Sequence, residues 1–135
     1  MPKPHDSVIR KFVSSWLKKD DSDLQLAEYL LDDNAPFYEA IAFHCQQAAE
    51  KYLKAFLANH QVEFPKTHNL PELLELMGKI DKKLAKSLQP IVALNPYGVM
   101  VRYPDDIQRV DRNKADVALI LALKTSETIH KKLKS

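Results

Sequence analysis

Apolar residues recur every three or four positions through most of this chain, and that period predicts helices. The first stripe is Ile9, Phe12, Val13, Trp16, Leu17, Leu24, Ala27, Leu30 and Leu31. It predicts a helix over about Ser7 to Leu31. The polar run "KKDDSD" interrupts the stripe, and Ser22 followed by Gln25 fits a capping box that could start a new helix. The phase nevertheless carries through from Trp16 to Leu24 and Ala27, so one long helix, with room for a kink, is the expectation. A second stripe, Ile41, Cys45, Ala48, Ala49, Tyr52, Leu53 and Phe56, predicts a helix over about Phe37 to Asn59. Its two central alanines suit close approach by another helix.

After the breaker "VEFPKTHN", Asn69 is a good N-cap with Glu72 three residues on and Pro71 in the first turn. Leu70, Leu73, Leu74 and Met77 form the buried stripe of this third helix, which Gly78 can end. A fourth helix is expected over about Lys82 to Leu94, although Pro90 lies inside it. "NPYGVMVRYPDDIQRVD" is a long irregular connection, the kind of segment that often carries function. Asp111 then caps a last helix, about Arg112 to Leu133. Its centre "VALILAL", Val117 to Leu123, is apolar all round, which predicts burial on more than one face. No segment reads as a convincing strand. The expected fold is all-α, an up-and-down antiparallel bundle of four to five helices with long first and second helices.

Composition narrows the function classes. With 135 residues, 45% of them apolar and 28% charged, the chain suits a single globular domain over 1–135. Twenty basic and 18 acidic side chains give a net charge of +2, too balanced for nucleic-acid binding through bulk charge. One cysteine, Cys45, excludes an intramolecular disulfide, and its place on the apolar stripe makes it a core residue. No Cys/His spacing fits zinc, and no cofactor is called for. Nothing at the N-terminus looks like a signal peptide, and no apolar run approaches the roughly 20 residues needed to span a bilayer, so a cytoplasmic protein with no membrane partner is expected. The sequences of a phosphate-binding P-loop, a nucleophile elbow, a zincin and a dinucleotide fold are absent.

Three short stretches carry candidate chemistry. In "FHCQQAAEKYLKAFLANH", His44, Gln47, Lys51 and Lys54 are spaced 3, 4 and 3 apart and share one strip of the second helix. That strip is either a solvated face or a wall offering imidazole, amide and ammonium groups to an anionic or nucleotide ligand. In "KTHNL", His68 precedes a helix N-terminus, where it either bonds the backbone or closes an anion site with Lys66 and Thr67. In "VRYPDD", Arg102 and Tyr103 pair a cationic fork with a ring. A structural alternative there is a loop salt bridge, with Asp105 and Asp106 or with Glu50 anchoring Arg102.

The stretches "FHCQQAAEKYLKAFL", "FPKTHNLPELLEL" and "VRYPD", in this order and spacing, resemble the HEPN family, a nucleotide-binding domain shared by higher eukaryotes and prokaryotes. The resemblance runs over about residues 10 to 130 and is in particular to the branch with the "RYPD" loop. It implies a helical bundle that forms homodimers. It also implies partnership with a separate minimal nucleotidyltransferase chain, in a two-protein complex or a toxin–antitoxin module. Other members are metal-independent ribonucleases, marked by an Arg and, about four to six residues on, a His that serves the RNA 2′-hydroxyl chemistry. Here Arg102, Arg109 and Arg112 lack such a His; the next is His130. The expectation is therefore a binding protein, with a nucleotide or nucleotide-like ligand held by His44, Gln47, Lys51, Lys54, His68, Arg102 and Tyr103. The alternatives are a ribonuclease with a displaced His, for which RNA is the substrate, and a pure protein-interaction module.

Overall fold

A computed structural model describes residues 4–34, 36–98 and 110–134. Five α-helices follow in order: α1 (Pro4–Asp32), α2 (Tyr38–Asn59), α3 (Leu70–Gly78), α4 (Lys82–Ser87) and α5 (Arg112–Lys134). A 3₁₀ segment, Gln89–Gly98, links α4 to the stretch before α5. No strand occurs among the described residues.

The first helix is one unbroken element of 29 residues, so the capping box at Ser22 is not used. Asn34, at φ 55°, ends it by turning the chain left-handed, a conformation Asn tolerates better than other residues with a Cβ. The Arg112 guanidinium donates to the Asn34 side chain, tying the start of α5 to the end of α1.

The second helix is the centre of the bundle and packs on α1, α3, α5 and the 3₁₀ segment. This is why so much of it is buried: Ile41, Ala42, Cys45, Ala48, Ala49, Tyr52, Leu53, Ala55, Phe56 and Leu57 all lie in the core. The facing stripe of α5 is built from small residues, Ala115, Ala118 and Ala122, followed by Thr125 and Ile129. Small side chains on both helices bring the backbones close, so dispersion contacts accumulate over the whole length.

Two expectations need correction. The fourth helix does not reach Leu94. It ends at Ser87, and Pro90 enters the 3₁₀ segment, because proline gives up a backbone donor and crowds the preceding turn. The apolar centre of α5 is not buried all round either: Ala118, Leu119 and Ala122 are covered, while Val117, Ile120 and Leu123 are exposed. Among the described residues no further element lies over them.

Candidate functional site

Two of the predicted residues, Lys54 and His68, meet around one carboxylate. Glu50 is almost fully buried on α2. Its Oε2 accepts from Lys54 Nζ at 3.2 Å, and its Oε1 lies 2.9 Å from His68 Nδ1. The loop that carries His68 is itself fixed by side chains. Gln46 Nε2 donates to the His68 carbonyl at 3.3 Å. Asn69 Oδ1 accepts from the Glu72 N–H at 3.2 Å, capping α3 as expected. The reciprocal half of the capping box is replaced: Glu72 accepts from Thr67 Oγ1, and Thr67 Oγ1 accepts from the Asn69 N–H. Leu70 N–H donates to Asn95 Oδ1 at 2.9 Å, so the 3₁₀ segment anchors the same corner. Gly98 completes it, since a Cβ there would come within 3.0 Å of the Gln46 amide.

Gln47 and His44 lie one and two turns towards the N-terminus of α2. Gln47 Nε2 donates to Gln46 Oε1 at 2.8 Å, and the His44 ring meets Phe43 edge-on at 5.7 Å. Lys51 points towards α1, where its ammonium lies 3.4 Å from Asp23 Oδ2. Arg102 and Tyr103, with Asp105 and Asp106, fall outside the described residues. The pairing of Glu50 that the structure describes is with Lys54 and His68.

A cavity of about 340 Å³ opens between α1 and α2, lined by Trp16, Lys19, Asp20, Glu50, Lys51 and Lys54. It takes in Lys51 and Lys54 from the predicted strip but neither His44 nor Gln47. Trp16, expected in the core, is half-buried and forms part of the wall, with its ring 4.9 Å from that of Phe12. Asp20 is the residue sequence reasoning missed. It is 1% exposed, and its Oδ2 has no hydrogen-bond partner among the described residues. Burial pushes its carboxyl up to about 7; the Lys51 ammonium opposes that rise, while Asp23 and Asp21 add to it. The signal was present in the spacing. Val13, Leu17, Asp20, Leu24, Ala27 and Leu31 follow one another at 4, 3, 4, 3 and 4, so Asp20 stands on the inward stripe.

A second polar group joins three helices. The Tyr52 hydroxyl, from α2, donates to Asp21 of α1, and His130 Nε2 of α5 lies 3.0 Å from the same Asp21 oxygen. Burial, then the hydrogen bond to Asp21, raises the Tyr52 phenol well above its usual range. A groove of about 400 Å³ runs past this group, with Arg10, Lys18 and Asn59 on its walls. Cys45 is fully buried and its thiol is pushed up to about 12, which makes it unreactive. Among the described residues no cluster of three or more His, Cys, Asp or Glu could hold a metal, and no helix is long and apolar enough to cross a membrane.

An all-helical bundle with a polar corner around a buried glutamate on its second helix is the class these features define. The HEPN domain model matches residues 13–134, and the chain belongs to that family. TT1696 from Thermus thermophilus is similar in structure, with TM-score 0.68 and 27% identity over 89% of this chain and 97% of that one. The archaeal HEPN homologue ST0689 shares the fold, with TM-score 0.65 and 20% identity over 89% and 96% of the two chains. No curated protein matches.

Proposed function

We propose that this HEPN-domain protein binds a nucleotide or nucleotide-like ligand, as a homodimer acting with a separate nucleotidyltransferase chain in a toxin–antitoxin-like module. The observation that carries the ligand reading is the α1–α2 cavity. Lys19, Lys51 and Lys54 supply cationic groups suited to phosphate, and Trp16 supplies a stacking surface. His68 borders the same corner through Glu50. Gln47 and His44, one and two turns along α2 from Glu50 and outside the cavity's lining, are proposed to add ligand contacts, as are Arg102 and Tyr103. The family, named for nucleotide binding, supports the reading further.

Calorimetric titration of the purified chain with ATP, GTP and AMP tests it. Binding that weakens in Lys51→Gln and Lys54→Gln is the expected outcome. Absence of heat with all three, alongside tight binding to a nucleotidyltransferase chain, would leave a protein-interaction module instead.

One observation favours a second reading, a metal-independent ribonuclease. Asp21 orients His130 beside a groove that also holds Arg10 and Lys18, which puts an imidazole base near phosphate-binding cations. The outcome expected of this reading is cleavage of single-stranded RNA in the presence of a chelator, lost in His130→Ala. RNA left intact by the unmodified chain removes it.

A further inference from the structure

The inference rests on the nucleotide reading and specifies what the α1–α2 cavity selects. Burying an acceptor without a donor costs stability, so a core-stripe carboxylate whose Oδ2 has no partner among the described residues calls for a reason beyond folding. An apolar residue at position 20 would continue the stripe of Val13, Leu24 and Ala27; Asp20 instead turns a carboxylate into the cavity wall. The other acid there is already satisfied, because Glu50 is held by Lys54 and His68. Lys51 acts on Asp20 through its charge, while its ammonium makes its ion pair with Asp23. The cavity therefore offers one unspent acceptor, an indole and ammonium groups on its wall.

An acceptor needs an N–H donor, an indole stacks a planar ring, and ammonium groups take phosphate. A nucleotide combines the three, and the bases differ in the edge they would show to a carboxylate. Guanine presents two adjacent donors, N1–H and the N2 amine. Adenine and cytosine present a donor beside a ring nitrogen whose lone pair would face the carboxylate, and uracil flanks its one N–H with carbonyl oxygens. The cavity lies at the small end of ligand pockets, which run from about 300 to 1,000 Å³. That size suits one mononucleotide rather than a dinucleotide or a strand. We infer that the α1–α2 cavity is a guanine-selecting site for a guanosine mononucleotide, in which Asp20 accepts from N1–H and the N2 amine while Lys51 and Lys54 hold the phosphate.

The experiment is calorimetric titration with GMP, IMP and AMP of the full chain and of Asp20→Asn, with thermal melts of both. The unmodified chain should bind GMP at least about 10-fold more tightly than AMP, with IMP, which lacks the N2 amine, between them. Asp20→Asn should lose about 10-fold or more for GMP and little for AMP, while melting no lower than the unmodified chain. GMP and AMP bound equally by the unmodified chain, or GMP held undiminished by Asp20→Asn, would overturn the guanine assignment and leave nucleotide binding standing. Absence of binding by all three to the unmodified chain would remove the assignment together with the nucleotide reading. The comparison of GMP with AMP needs no variant, so it decides the matter even if Asp20→Asn fails to fold.

Discussion

At the scale of single residues, burial separates groups that the sequence alone leaves equivalent. Lys51 and Lys54 are legible as candidates from their spacing and His68 from its place before a helix N-terminus, and the structure draws all three towards Glu50 or the cavity beside it. Asp20 is hidden in the run "KKDDSD", which reads as an interruption of the stripe although one of its aspartates keeps the stripe's phase. Its titration gives a sharp expectation. Burial raises the folded-state pKa from 3.8 to about 7, so the folded chain binds this proton more tightly than the unfolded chain does. The contribution to stability is fully present below about pH 3.8 and is lost as the pH rises to about 7. The loss has a limiting slope of roughly 1.4 kcal/mol per pH unit. Urea unfolding of the unmodified chain and Asp20→Asn should therefore show a stability difference that moves in favour of the variant from pH 4 to 7 and then levels off. Other groups largely cancel in that difference. A difference that stays flat across the window would mean that Asp20 is already solvated in the folded chain.

At the scale of elements, what could be read from the sequence was what local chemistry decides. The long α1 and α2, the Asn69 cap of α3 and the Asp111 cap of α5 follow from stripe period and side-chain oxygens; Asp111 Oδ1 accepts from the Lys114 N–H at 2.8 Å. The early end of α4 is a matter of how much one proline disrupts, and only the surrounding packing settles that. The reciprocal half of the α3 capping box fails for a reason that spacing does not reveal: Thr67 lies closer to hand and intercepts both partners. Asn69 thereby carries the cap with its own side chain, and it also fixes the loop that brings His68 to Glu50. Asn69→Ala should cost about 1 kcal/mol, a fall in melting temperature of a few degrees for a domain of this size. Asn69→Asp should retain most of the stability, since its carboxylate can accept the same N–H. Equal losses in the two variants would show that the Asn69 amide works through another contact.

At the scale of the whole molecule, the open question is what meets the uncovered side of α5. The all-apolar centre of that helix reads in the sequence as a core segment, and a core segment it is on one side: Ala118, Leu119 and Ala122 are buried against the bundle. On the other, Val117 is 54% exposed, Ile120 64% and Leu123 38%. Val117 and Ile120 share a strip at a spacing of three, with Leu123 three further on, so they form one continuous apolar surface. The second helix has spent its apolar stripe inside the bundle. The proposed homodimer should therefore form through α5, and it should be sensitive to charge at the middle of that strip. Ile120→Glu would have to bury a carboxylate in an apolar contact, which costs several kcal/mol unless it finds a partner. Sedimentation equilibrium should show the unmodified chain as a dimer and Ile120→Glu as a monomer with the same helical content and an unchanged melting transition at high dilution. A monomer for both chains would remove the homodimer, and a dimer for both would move the contact off α5.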